Sequence, residues 1–526
     1  MALKTCHCPD AAAAVERRVA FAQLLVQAAS TMDEAEYRQC DATELAARVA
    51  RGEVSPAELV ELAIGAIERV NPALNAVVHR MYDEARASAA EPLPQGPLRG
   101  VPMVVKDFDG FVKGVPFTAS TRLLEGFVPD HDSEAIARLR RAGLVFVAKT
   151  NCPELAILGT TEPELRGPAR NPYDPSRSTG GSSGGSGALV AARAVAIGHG
   201  GDGGGSLRIP ANHCGLVGLK PTRARVPMGP DWSEGWGGYV QWGAVTRTVR
   251  DTAAVLDIMA GPMPGDPGAA PPLERPLVEE LRRDPGRLRV AFYDGSLFGK
   301  EIDPEHRAAA RETAAQIEVL GHKVEEVRPD IDSAALAHAY FVQVAVSIAA
   351  EIEEFARLAG KAPHYADFEA GTWFMNQLGR ALSGLELQRS RDAVQAAART
   401  MGAFHQRHDV LLTATVTHPP VPIGQLALGA AERAGLALLR KLPSGRLLRS
   451  VLARMAPAFL ELTPNTQLFN QTGQPAMSLP MHHSNSGLPI GIQLSAGFGR
   501  EDLLIRLGSQ LEAAHPWHEQ RPGVCA

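Results

Sequence analysis

The run "STGGSSGGSG", Ser178–Gly187, contains no charge, proline or aromatic residue. That composition is typical of a flexible spacer. Its continuation argues against a spacer: "GALVAARAV" (Gly187–Val195) is apolar and helix-forming, and a second glycine-rich loop, "GDGGGS" (Gly201–Ser206), follows at once. A linker has no reason to lead into an apolar helix and a second loop of its own kind. The tract therefore reads as ordered structure inside a domain.

The segments on either side have the grammar of an α/β protein. Ser55-Pro56-Ala57-Glu58 is a capping box with proline at the first helical position, and Leu59, Leu62, Ala63 and Ile67 continue at helical spacing. "GVPMVVKD" (Gly100–Asp107) reads as a buried strand that delivers Lys106 at its end. A helix opening at Asp132 or Ser133 closes at Gly143, and "LVFVAK" (Leu144–Lys149) is a second strand. The same phrase recurs from Asp303-Pro304 to Gly321, with "HKVEEV" as its strand, and no repeat of fixed period is present. Gly261–Arg287 reads as a proline- and glycine-rich surface connection, and Ile423–Ala456 as a helical excursion. "LFNQTGQPAMSLPM" and "GLPIGIQLSA" read as strand-like segments. The expectation is a single large α/β domain, residues 35–526, with a central mixed sheet flanked by helices. Residues 1–34 form an N-terminal extension, and Met32 is an alternative natural start.

Composition excludes several classes. The chain has 526 residues, 45% hydrophobic and 21% charged, with a formal charge of −5, so neither disorder nor a whole-chain nucleic-acid footprint is expected. No apolar run reaches the ~18 residues of a membrane span. "VAFAQLLVQAA" (Val19–Ala29) is better read as a short amphipathic helix than as a signal segment. Six cysteines without a paired C-x-x-C spacing suggest reduced thiols and a cytoplasmic location. Cys6-His7-Cys8 lacks a second ligand pair, so no metal is expected.

"TTEPELRGPARNPYDPSRSTGGSSGGSGA" (Thr160–Ala188), the following GDGGGS loop and "FNQTGQPAMSLP" (Phe469–Pro480) together resemble the amidase signature family. The likeness runs from about Tyr37 to Pro522, and within the family it points to bacterial amidases related to cyclic-dimer hydrolases. The resemblance implies a Ser–cisSer–Lys triad. The nucleophile would be Ser206, the bridging serine after a cis peptide Ser182, 24 residues earlier, and the lysine Lys106. The chemistry is consistent: a serine hydroxyl needs a base within hydrogen-bond reach, and a lysine can be that base only as the neutral amine. Three consecutive glycines allow the amides of Gly203, Gly204, Gly205 and Ser206 to converge on one oxyanion. Ser183, Asp202 and Arg208 are expected to brace the loops. Where the family commonly writes GTDTGGS, this chain has glycine at 201 and 203, which implies a looser loop or wider pocket floor.

Other readings compete. G-x-S-x-G occurs twice in the tract, but the preceding "NPYDPSRST" is polar and proline-broken where a nucleophile elbow needs a strand. No phosphate-binding glycine motif is present. Lys220 reads as structural, and His199, His213, His482 and His483 as packing or surface residues. Trp232, Trp236, Tyr239 and Trp242 are either a local aromatic core or a wall of the substrate cleft. The expected activity is hydrolysis of an uncharged amide, with anilides, esters and carbamates as further candidates, without a cofactor. The partner is a small-molecule amide, not nucleic acid or membrane, and a homodimer stays open. The alternatives are a subunit of a glutamine-dependent tRNA amidotransferase and a catalytically dead binding protein.

Overall fold

The computed structural model describes residues 32–441, 445–451 and 463–526. The expected extension up to residue 31, with Cys6 and Cys8, and parts of the 423–456 excursion lie outside the described residues. One eleven-stranded mixed sheet runs through the domain. Its strands are β1 (Val77–Arg80), β2 (Pro102–Lys106), β3 (Val145–Thr150), β4 (Ile197–Asp202), β5 (Val217–Lys220), β6 (Gln241–Thr246), β7 (Arg289–Phe292), β8 (Lys323–Glu326), β9 (Val410–Ala414), β10 (Ala476–His483) and β11 (Pro489–Ala496). The spatial order is β1-β3-β2-β4-β6-β5-β10-β11-β9-β7-β8. β3, β2 and β4 are mutually parallel, and β4–β6–β5–β10–β11–β9 is an antiparallel series.

The parallel centre explains the uninterrupted apolar runs. Every residue of β2, β3 and β4 is buried, because helices cover both faces. One covering helix, Pro56–Leu74, starts with the predicted capping box: Ser55 Oγ accepts from Glu58 N, and the Glu58 carboxylate accepts from Ser55 N at 2.7 Å. Parallel neighbours also end side by side. Lys106 closes β2 and Asp202 closes β4, so the sheet presents the two segments that matter at one edge of adjacent strands.

Four helices build the site: α1 (Gly184–Ala191), α2 (Arg208–Cys214), α3 (Ser333–Ala359) and α4 (Gln467–Thr472). α4 corrects the strand reading of "LFNQT". All six of its residues are buried, so it has no polar face to reveal a helical period, and Gly473 ends it in the left-handed conformation at φ 91°. By length and hydropathy α3 could cross a bilayer, but half of its apolar window is buried inside the protein.

The opening tract is a close-packed wedge. A side chain at Gly185 would meet Asn151 N at 2.5 Å, and one at Gly181 would meet Thr160 O at 2.6 Å. The serines are equally committed: Ser178 Oγ accepts from Gly180 N, Ser183 Oγ donates to Gly201 O at 3.3 Å, and Ser186 Oγ donates to His199 O at 2.8 Å.

A buried ion pair fastens the second loop to the sheet. Asp202 and Arg208 are both 0% exposed and meet through two bonds, Nε–Oδ2 at 2.9 Å and Nη2–Oδ1 at 2.8 Å. Arg208 continues to Gln493 Oε1 on β11 at 2.7 Å and to Asn470 Oδ1 on α4 at 2.6 Å. Burial works against the Asp202 carboxylate, but Arg208 and the Asn470 amide outweigh it and hold the group down at about 2. Its stabilisation is therefore present above the ordinary carboxylate range near pH 4 and lost as pH falls toward 2. Arg208→Met leaves a buried charge without its partner and should destabilise the protein by about 3–5 kcal/mol at neutral pH. Thermal unfolding should show that deficit shrinking below about pH 4; a deficit constant from neutral pH to pH 3 would mean that Arg208 acts through packing alone.

Candidate active site

Lys106 is 1% exposed and lies at the buried end of β2. Its Nζ is 2.8 Å from Ser182 Oγ and 2.6 Å from Asp109 Oδ2. The Gly181–Ser182 peptide is cis. The Ser182–Ser183 segment lies against the second loop, where Ser183 N donates to Ser206 O at 3.3 Å. The structure thus brings Lys106, Ser182 and the Ser206 backbone into one cluster from three separate stretches.

Accessibility separates the serines. From Ser178 to Cys214 every residue is buried except Ser206. Ser206 is the one serine of this run that solvent reaches, while Ser182 and Ser183 are buried.

The loop before Ser206 is held from several sides. Asn470 Nδ2 donates to Asp202 O at 2.7 Å, Thr466 Oγ1 donates to Gly204 O at 2.5 Å, and Tyr340 OH donates to Gly203 O at 3.3 Å. These bonds engage the carbonyls. One candidate oxyanion donor must be revised: the Gly205 N–H donates to Asp202 Oδ1 at 2.7 Å, so its single hydrogen is already used. Gly203, Gly204 and Ser206 are left as candidates.

The aromatic cluster divides. Trp242, 2% exposed, packs on His199 and Trp232, while Trp232 also contacts Phe108, Phe111 and Phe117, so Trp242 belongs to the packing behind the site. Trp236 faces the loop, and Tyr239 packs on Tyr340, which hydrogen-bonds it. A side chain at Gly203 would meet the Trp236 ring at 2.8 Å, and Tyr239 stacks on Tyr340 at 5.8 Å. Glu351 of α3 has a buried Oε2 with no hydrogen-bond partner among the described residues. Burial, with the nearby Asp109 charge, pushes the Glu351 carboxyl up to about 8, against a smaller opposing effect of Trp236. Tyr340 and Glu351 were missed in the sequence because α3 lies more than a hundred residues from the signature. Asp109 was missed although it stands three residues beyond Lys106 in "KDFD".

The histidines are poor bases. Burial, reinforced by Lys106 and Lys149, holds His199 down at about 3, and burial holds His213 well below its usual range. Lys220 is buried and donates to Pro221 O at 2.7 Å, in keeping with a structural role. Among the described residues no group of three or more His, Cys, Asp or Glu is arranged to hold a metal ion.

This geometry can be set beside known proteins. The Amidase family profile matches residues 58–505. A 6-aminohexanoate-cyclic-dimer hydrolase from Paenarthrobacter ureafaciens is 38% identical over 489 residues, covering 92% of this chain and 96% of that protein. An acylamidase from Rhodococcus erythropolis is 32% identical, covering 93% and 98%. A solved structure of a 6-aminohexanoate cyclic dimer hydrolase with substrate superposes with a TM-score of 0.84 at 37% identity, covering 93% of this chain and 100% of that one. Match length, identity and shared architecture agree: the chain belongs to the amidase signature family and is an amidase, a hydrolase acting on amides.

Proposed function

We propose that this amidase cleaves a small uncharged amide through an acyl-enzyme on Ser206, with Lys106 as the base acting through Ser182. The observation that carries the reading is the 2.8 Å contact between Lys106 and Ser182, together with Ser206 as the only serine between Ser178 and Cys214 that solvent reaches. In the acylation step Ser206 Oγ attacks the amide carbonyl carbon and passes its proton to Ser182 Oγ, whose own proton moves to Lys106 Nζ. The carbonyl oxygen becomes an oxyanion facing the amides of Gly203, Gly204 and Ser206. As the C–N bond breaks, the relay returns the proton to the leaving nitrogen. Water then repeats the sequence on the acyl-serine and releases the acid.

The two named relatives act on a cyclic amide dimer and on acyl amides, which supports an uncharged substrate here. A glutamine-dependent amidotransferase subunit is less favoured on the same ground. The wall formed by Trp236, with Gly203 beneath it, suits an aryl or long alkyl group. The free thiols of buried Cys152 and Cys214 fit a cytoplasmic enzyme.

A fluorophosphonate probe should label Ser206 as located by peptide mapping; an adduct on Ser182 or Ser183 would contradict the assignment. Ser182→Ala and Lys106→Arg should each lower kcat by at least about 10²-fold while the thermal midpoint stays near wild type, because arginine keeps the charge but cannot serve as the base. Near-normal turnover by Lys106→Arg would remove lysine from the relay.

Neutral aryl amides should be cleaved in preference to glutamine. Trp236→Ala should lower kcat/KM on the aryl substrate by about 10-fold, in line with the loss of one buried aromatic contact. An unchanged value would return Trp236 to core packing.

A further inference from the structure

The relay accounts for one contact of Lys106 and leaves the other unused. Asp109 follows β2 and places Oδ2 at 2.6 Å from Nζ, with both side chains almost fully buried. Its backbone has φ 60°, a left-handed conformation uncommon outside glycine, asparagine and aspartate. Asp107, its near neighbour, is engaged elsewhere, bonded to Thr118 and 3.5 Å from Lys149. Asp109 is therefore the carboxylate directed at the lysine. Cys152, His199, Lys149 and Glu351 are the other titratable groups whose fields reach Lys106 or Asp109.

The second loop carries the complementary feature. A Cβ at Gly201 would lie 2.4 Å from Asp109 Oδ1, 2.5 Å from Cγ and 2.7 Å from Oδ2. The carboxyl group occupies the space that any side chain at 201 would need. The glycine that departs from the common family spelling is thus not slack in the loop.

We infer that Asp109 is the positioning residue of Lys106, and that residue 201 is glycine to admit it. A neutral amine has one lone pair and two N–H bonds. An N–H donated to Asp109 turns the lone pair toward Ser182. When the Ser182 proton arrives, Nζ becomes an ammonium beside an existing carboxylate, so the charge created in the step is formed already paired. The proton stays on nitrogen and Asp109 remains ionised throughout. The inference rests on Lys106 being the base.

The test uses three variants of the full chain. Asp109→Gly suits φ 60° and removes the carboxylate; it should lower kcat by about 10²-fold with KM little changed, and slow fluorophosphonate labelling of Ser206 in parallel. Gly201→Ala should cause a similar loss by displacing Asp109. The double variant should be no worse than Asp109→Gly alone, because both changes act on one contact. If thermal unfolding shows that Asp109→Gly is not native, Asp109→Asn, which keeps the volume, takes its place in the comparison. Wild-type kcat and labelling rate in the Asp109 variant, or losses that add in the double variant, would overturn the inference. Failure of the wild type to label Ser206 would instead overturn the underlying mechanism.

Discussion

The buried pairing of Asp202 with Arg208 is the constraint on which the rest depends. A run of five residues containing four glycines has little intrinsic shape, and an isolated chain of that composition would sample many conformations. Here its first carboxylate is clamped by a guanidinium that also reaches β11 and α4. Two segments nearly three hundred residues apart in sequence therefore decide where Ser206 stands. Such a pair is costly to desolvate and is sustained only because Asn470, Gln493 and the Thr466 carbonyl satisfy the remaining polar atoms. In return the carbonyls of Gly203 and Gly204 are held by Tyr340 and Thr466.

Much of this was legible in the chain itself. The alternation of capped helix, glycine stop and apolar run marks the α/β fold, and the strand Gly100–Asp107 announces a lysine at a buried end. Ser182 and Ser206 could be singled out because the Gly/Ser run and the GDGGGS loop carry family-specific spelling. What stayed hidden was contributed by tertiary contact. Asp109 looks like an ordinary turn residue until the Lys106 amine is placed beside it. Tyr340 and Glu351 come from a long apolar helix with no local sign that it faces the loop. The "LFNQT" segment gave a strand-like signal because burial on every side erases helical periodicity, although Gly473 marked its end. The Gly205 amide could not be discounted before the direction of the Asp202 carboxylate was known.

Packing is what orders the linker-like tract Ser178–Gly187. Glycines at 181 and 185 are required where backbone meets backbone, and the serines replace the hydrogen bonds that a buried loop would otherwise leave unmade. A composition that means flexibility in water means close approach in a core. The aromatic residues show the same dependence on place: Trp242 fills the interior, while Trp236, a few residues away, covers the loop.

A covalent acyl-enzyme on Ser206 would show itself in how the acyl group partitions between nucleophiles. Two anilides that share an acyl group but differ in their aniline leaving group are hydrolysed in the presence of hydroxylamine, and hydroxamate and acid are quantified. A common acyl-Ser206 predicts the same hydroxamate-to-acid ratio from both substrates, because the leaving group has departed before the choice is made. A ratio that changes with the leaving group would mean direct attack on the bound amide, with no acyl-enzyme on the path.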